Sequence, residues 1–393
     1  MKSSDDSNLM IRLAVVTNIP APYRVSVFNI IASIPGVTLR VFYASRSEPD
    51  RQWELPAMEH DHVFLTGHIL KIKGKFIHFS SGVNRELARF EPDVVLTTGF
   101  NPTHLMAWWW SVVHRRRHVV MTDGTDISES SLSLLHRLVR RLVFSTTQAF
   151  VVAADGGVRL LHSYGVERSR IHRSPLCANS TVSWAPDVCN ERDIDVLFSG
   201  RMVPEKNTDF ALRVAQGVAR RIGRRIKMVL MGNGPLLSDL KAEAVLIAPD
   251  VDVTFAGHVS QSEIPAIFNR ARLFFFPTRW DPWGVVANEA CMAGVPVIVS
   301  PHAGVAGELI RDGVNGRVLP LDLNQWIDSA TQILIEPALW KKMNAAAGIA
   351  VLPYNFRNAA YGIVDAARQA VLGPLAPPAL SDFVSIEHPD NSG

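Results

Sequence analysis

The chain has 393 residues, enough for two domains that each bury a core. Hydrophobic residues make up 47% and charged residues 20%, which excludes a disordered or fibrous chain, and a net charge of +3 is too small to indicate nucleic acid. The charge is uneven, with 21 Lys+Arg against 15 Asp+Glu up to residue 185 and 19 against 22 beyond it, so the first half either suits an anionic surface or acceptor or reflects ordinary scatter.

Cys177, Cys189 and Cys291 have neither disulfide-framework nor metal-ligand spacing, which fits a reducing cytoplasm. The start carries Asp5 and Asp6 before a short apolar run, unlike a signal peptide. No run reaches the ~20 apolar residues of a membrane span. The richest, 104–113, is followed by Arg115, Arg116 and Arg117.

In chain order, apolar runs alternate with helical patterns. Residues 11–17, 38–44, 93–98, 118–122 and 149–153 read as strands, with helices over 23–34 and 81–90. Runs that are apolar at every position suit parallel strands covered on both faces. The alternation restarts after a polar, aperiodic stretch: strands are predicted at 195–200, 226–232, 251–257, 272–278, 295–300 and 316–320, and helices at 207–222, 235–246, 261–269, 284–293 and 324–334. The expected class is α/β, with two Rossmann-like doubly wound domains. They span 1–180 and 194–352, joined by a linker over 181–193. A helix over 353–373 is expected to pack back on the first domain, and 374–393 reads as a disordered tail. Ligands of such sheets sit beyond the carboxyl ends of the strands, so the loops there are where chemistry is expected.

Three such loops in the second half stand out. In 199–210, Arg201 and Lys206 follow a strand and precede a helix; two cations beside a helix N-terminus suit a phosphate, although both residue types are common in surface loops. In 231–236, Gly232 and Gly234 allow either close approach of a ligand or a tight turn. In 275–300, Asp281 lies in a loop and Glu289 one turn into the helix that Gly284 begins. Carboxylates are charged acceptors suited to sugar and ribose diols. Glu289 sits in an apolar helix, where an unpaired carboxylate is costly, so a specific partner is expected.

These motifs, in this order, resemble family 4 of the glycosyltransferases, retaining enzymes of GT-B fold. GRMVPEKN, GNGP, DPWGVVANEACMAGVPVIVS and GVAGELIRDGVNGRVLP carry the resemblance over residues 194–335, and TNIPAPYRVSVFN (17–29) looks like polysaccharide-assembly members. The resemblance implies two domains facing a central cleft. It implies that Arg201 and Lys206 hold the donor diphosphate, Glu289 the ribose hydroxyls and Asp281 the transferred sugar. The backbone of Trp283, Gly284 and Val285 faces sugar or phosphate, and the base lies near Gly257 and His258. The first acid is usually Glu and the residue before the glycine usually Phe, so Asp281 and Trp283 put the donor sugar or its pose in doubt. A family His after the fourth or fifth strand is replaced here by Asp123 or Asp126, either of which also suits a helix cap.

In the first domain, Tyr23 and Arg24 follow the first strand and suit an acceptor or phosphate contact, with a surface salt bridge as the alternative for Arg24. Arg137, Arg140 and Arg141 share a helix face, and Leu134, Leu135, Leu138 and Leu142 form its apolar stripe, which fits either an ordinary surface helix or peripheral contact with anionic membrane on the cytoplasmic side. Trp108, Trp109 and Trp110 read as core or inter-helix packing, with a membrane-facing edge as the alternative. The activity expected is hexosyl transfer with retention, from a UDP or GDP sugar to a glycan or lipid-linked acceptor, without metal or other cofactor and without nucleic acid. A nucleotide-sugar epimerase or hydrolase, or a non-catalytic binder, is the alternative.

Overall fold

The computed structural model describes residues 10–48, 55–72, 75–127, 129, 132–178 and 192–373. The chain forms two compact units, one of residues 1–153, 157–174 and 356–393, the other of 154–156 and 175–355. The expected linker lies mostly outside the described residues, and so do Cys189 and the expected tail.

The first unit is built on β1 (Ile11–Thr17), β2 (Val37–Tyr43), β3 (His62–Phe64), β6 (Val94–Thr97), β7 (Arg117–Thr122), β8 (Ala149–Val152) and β9 (Ile171–Arg173). They form one parallel sheet in the order β3-β2-β1-β6-β7-β8-β9. A separate antiparallel hairpin, β4 (His68–Ile72) with β5 (Lys75–Phe79), is inserted before β6, and neither it nor β3 has a clear sequence pattern. The helices are α1 (Pro22–Ser33), α2 (Val83–Phe90), α3 (Pro102–Val113), α4 (Leu134–Thr146) and α5 (Asp155–Ser163). Proline opens α1 and α3, where its fixed φ suits the first turn and its missing N–H costs nothing. The helix α12 (Phe356–Leu372) returns to this unit and packs on α1, β8 and β9.

The second unit holds six parallel strands: β10 (Ile194–Ser199), β11 (Ile226–Met231), β12 (Val251–Gly257), β13 (Ala271–Phe276), β14 (Val297–Val299) and β15 (Gly316–Val318). Their order, β12-β11-β10-β13-β14-β15, is that of a doubly wound nucleotide-binding sheet, which reverses direction between β10 and β13. Around them lie α6 (Thr208–Ile222), α7 (Leu237–Ile247), α8 (Ile264–Phe268), α9 (Val285–Met292), α10 (Leu323–Ile335) and α11 (Pro337–Val351). Helix α6 ends on Gly223 in the left-handed region, and Asp322 caps α10 by accepting from the Gln325 amide at 2.9 Å. The helix expected over 261–269 shrinks to α8, because the turn before it is closed by Glu263 accepting from Ser260.

Both cores run along the sheets. Phe198, Met202, Leu212 and Trp326 fill one in the second unit, and Trp108, Val143, Phe144 and Phe150 one in the first. Of the three consecutive tryptophans, Trp108 and Trp110 are buried, whereas Trp109 is exposed, so of its two readings core packing does not hold. Cys177 and Cys291 are buried free thiols.

Helix α12 meets the first sheet at closest approach through Gly362, where an added Cβ would overlap the Arg173 carbonyl. Gly362→Ala is therefore expected to destabilise the protein by about 1–3 kcal/mol, the usual cost of overpacking, although alanine is the better helix former. Chemical denaturation of the pair measures this; an unchanged midpoint would show that α12 tolerates displacement.

Candidate active site

In the second unit, the strand ends that flank the sheet reversal carry the two charged motifs. After β10 the chain passes Arg201, turns through a 3-10 segment (Pro204–Lys206) and enters α6 at Asn207, which adopts a left-handed conformation at φ 57°. After β13 it forms the loop 277–284. The loops are stitched together: the Arg279 amide donates to the Glu205 carbonyl at 2.7 Å, the Arg279 guanidinium donates to Asn207 Oδ1, and Asn207 Nδ2 donates to the Pro277 carbonyl.

On this frame Lys206 Nζ forms an ion pair with Asp281 Oδ2, both side chains being largely buried. Asp281 uses its other oxygen to accept from the Trp283 amide at 3.0 Å. Arg201 is exposed, and its guanidinium has no partner among the described residues. One unpaired and one paired cation therefore share the loop that precedes α6.

Gly284 starts α9 with φ +103°, and a Cβ there would strike the Phe276 ring, so only glycine fits. No side chain caps this end of α9. Trp283 comes just before Gly284. Its amide is taken by Asp281, and its indole is buried, donating from Nε1 to Asn288 Oδ1 at 2.9 Å and stacking on Tyr354. The side chain is thus a packing element; Val285, the first helical residue, is partly exposed.

Glu289 has no hydrogen bond or ion pair from its carboxylate among the described residues, so the protein does not supply the expected partner. The surrounding protein desolvates it and pushes its pKa up to about 7 from an ordinary value of 4.5.

The two glycines of 231–236 are points of close backbone packing. Space for a Cβ on Gly232, at φ +118°, is filled by the Gly200 carbonyl, and on Gly234 by the Met202 backbone. Around them the Met202 amide donates to the Asn233 carbonyl and the Gly232 amide to the Gly257 carbonyl. These glycines are needed because loop packs on loop. His258 follows, exposed, after Gly257 at φ +66°.

In the first unit, the sheet reverses between β1 and β6, and a cavity of about 210 Å³ opens beside the reversal. Thr17, Thr98, Tyr23, Arg24, Glu48 and Asp123 line it. Arg24 is not a surface residue. It is buried, donating to Asp123 Oδ1 at 2.8 Å and to Ser174 Oγ at 3.1 Å. Asp126, by contrast, pairs with exposed Arg159 at 2.8 Å, and neither aspartate caps α4, which starts after Ser133. Sequence patterns did not point to Glu48, whose carboxylate accepts from His78 Nε2 at 2.9 Å, or to the Thr98–Thr17 hydroxyl pair at 3.0 Å. Thr17 and Thr98 are at least findable as the residues that end apolar runs. Glu48 follows no periodic segment and carries no such signal.

Among the described residues, no group of three or more His, Cys, Asp or Glu side chains is placed to hold a metal ion, and no helix is long and apolar enough to cross a membrane.

Residues 186–348 match the family described as Glycosyl transferases group 1. The fold is GT-B. It is shared with Anabaena HepE in complex with UDP, at a TM-score of 0.72 and 13% identity over 91% of this chain and 100% of that one. An alpha-D-kanosaminyltransferase of Streptomyces kanamyceticus is 30% identical over 38% of this chain, which spans 39% of that relative's length. A GDP-mannose-dependent alpha-(1-6)-phosphatidylinositol monomannoside mannosyltransferase of Mycobacterium tuberculosis is 25% identical over 67% of this chain and 72% of its own. Together these findings support a glycosyltransferase.

The raised pKa of Glu289 has a consequence for stability. The folded state holds this proton up to about pH 7 and the unfolded chain only to about 4.5, so ionisation costs stability as pH rises across that window, by roughly 3 kcal/mol at full effect. Glu289→Gln is expected to raise the melting temperature of the ligand-free protein at pH 8 and to leave it nearly unchanged at pH 4.5. Equal melting of the two proteins at pH 8 would mean that the carboxylate is not held in a desolvated place.

Proposed function

We propose that this protein is a retaining, metal-independent hexosyltransferase that moves a sugar from a nucleotide diphosphate sugar to a glycan or lipid-linked acceptor in surface polysaccharide assembly. The observation that carries the reading is the Lys206–Asp281 ion pair beside unpaired Arg201, at the reversal of the second sheet. A cation already paired with a carboxylate is a charge held in place until an anion arrives. The donor diphosphate would take Lys206 and Arg201, and Asp281, released, would accept from hydroxyls of the transferred sugar. The uncapped amides at the start of α9 add partial positive charge. Glu289, which lacks a protein partner, would accept from the ribose diol, and the strand end at Gly257–His258 would lie against the base.

In the transfer, the bond between the anomeric carbon and the diphosphate oxygen breaks, the bond to the acceptor oxygen forms on the same face, and the acceptor hydroxyl proton passes to the leaving diphosphate oxygen. Negative charge grows on the leaving oxygen, and Arg201 and Lys206 would stabilise it. The cavity of the first unit is the proposed acceptor site. Its threonine hydroxyls and the Arg24–Asp123 pair offer donors and acceptors that suit a sugar.

The names of the relatives mention GDP-mannose and the bound ligand of the structural neighbour is UDP, so both bases are tested. In calorimetry with UDP, GDP and ADP sugars, one donor is expected to bind, and both Glu289→Ala and Lys206→Ala to weaken it. At pH 7 binding should release about half a proton, because hydrogen bonds from the ribose favour the ionised carboxylate of a group half-protonated there. Binding of no donor, or binding indifferent to both substitutions, overturns the assignment. Arg201→Ala is expected to lower kcat by roughly 10²–10³, by analogy with loss of one fixed electrostatic donor. Turnover within threefold of the parent would remove Arg201 from the mechanism.

A further inference from the structure

The hairpin of β4 and β5 interrupts the strand–helix alternation of the first unit and takes no part in its parallel sheet. It is nevertheless anchored. The Ser80 amide donates to Thr103 Oγ1 at 3.0 Å, and Thr103 Oγ1 donates to the His78 carbonyl at 3.0 Å, all three residues being buried. The anchor carries His78, whose ring is fully enclosed and donates from Nε2 to Glu48 Oε1 at 2.9 Å. Its Nδ1 has no partner among the described residues. Burying an imidazole is costly unless it is hydrogen-bonded, so the contact with Glu48 is what offsets the burial of this ring.

Glu48 lines the same cavity as Asp123, and the two carboxylates are built alike. Each has one oxygen held by a buried donor, Asp123 Oδ1 by Arg24 at 2.8 Å and Glu48 Oε1 by His78. A carboxylate has two oxygens and several lone pairs, so each keeps capacity for a ligand. The wall offers donors as well. Asn18 Oδ1 accepts from Asn101 Nδ2 at 3.0 Å, which leaves the Asn18 amide N–H groups without a partner among the described residues. Thr17 Oγ1 accepts from Thr98, which leaves its own hydroxyl proton to donate.

We infer that Glu48 and Asp123 together bind one uncharged sugar ring of the acceptor, and that His78 is the positioning residue for Glu48. Both roles rest on the proposal that this cavity is the acceptor site of a transferase. At about 210 Å³ it is smaller than the roughly 300–1,000 Å³ of pockets for drug-sized ligands, which suits a single ring. Ionised carboxylates are acceptor-only, so they take hydroxyl protons and offer no hydrogen bond to a phosphate or a uronate. Arg24, the cation of the wall among the described residues, already donates to Asp123 and Ser174. An anionic ring would meet unmatched acceptors, and that mismatch discriminates as much as the contacts with a neutral ring do. Because the acceptor proton passes to the diphosphate, the two carboxylates act on binding and not as a base.

Saturation-transfer NMR on the full-length protein, without nucleotide sugar, tests this with the methyl glycosides of glucose, galactose and mannose and with the 6-phosphates of the same sugars. At least one glycoside is expected to bind, and its 6-phosphate to bind more weakly by roughly tenfold or more. Glu48→Gln, nearly the same in shape, should weaken the glycoside by roughly tenfold or more. His78→Leu should do likewise. His78→Gln, which keeps a side-chain N–H donor, should return binding to within about threefold of the parent, a rescue that a merely structural histidine would not show. Binding of no glycoside, equal binding of the 6-phosphate, unchanged binding by Glu48→Gln, or equal loss in both His78 variants overturns the inference. Should His78→Leu fail to fold, Glu48→Gln and His78→Gln still decide it. Donor calorimetry on the parent is read separately: donor binding without glycoside binding removes the cavity assignment alone, and glycoside binding without donor binding removes the transferase reading.

Discussion

Backbone pairing between strands that run parallel governs both units. In each, the chain starts in the middle of the sheet, winds outward to one edge, and then crosses back to pair on the other side of its first strand. That reversal leaves two neighbouring strand ends whose following loops diverge, and no helix covers the space between them. In the second unit these are the ends of β10 and β13, and in the first those of β1 and β6. The charged loops and the cavity both follow from this single topological fact.

The second unit converts the crevice into a charged site by stitching loop to loop. Asn207 accepts from Arg279 and donates to the Pro277 carbonyl, and the Glu205 carbonyl receives both the Arg279 amide and the Thr278 hydroxyl. These bonds fix the backbone on which Lys206 and Asp281 meet. Gly232 and Gly234 serve the same end, since the carbonyls of the first loop lie where their side chains would be. The result is a preorganised arrangement, in which charges are held by short backbone segments rather than by flexible side chains alone. Glu289 is a desolvated carboxylate with no hydrogen-bond partner among the described residues, and burial pushes its pKa up to about 7.

The first unit has a polar crevice and exposes apolar side chains on α4. Arg24, buried by Asp123 and Ser174, turns what reads as a loop cation into part of a cavity wall. Glu129 does the same to Arg140, and so removes from the α4 surface the residue that would have broken up its leucine stripe.

The sequence by itself determined the α/β class, the positions of most strands, and the four motifs of the second half, because all of these are local: a run of apolar residues, a glycine at a turn, a carboxylate one turn into a helix. Only the tertiary structure decided which charges pair. Lys206 and Asp281 are 75 residues apart and Arg24 and Asp123 are 99 apart, and nothing in the spacing of either pair announces the contact. It also decided which of two apolar stripes on α4 faces the core. Both have helical period, and the choice depends on the shape of the cluster around Trp108 and Phe150, where branched and aromatic side chains fit between helix and sheet. Short elements such as β3 and the β4–β5 hairpin stayed illegible because their pairing partners, rather than their own composition, make them strands.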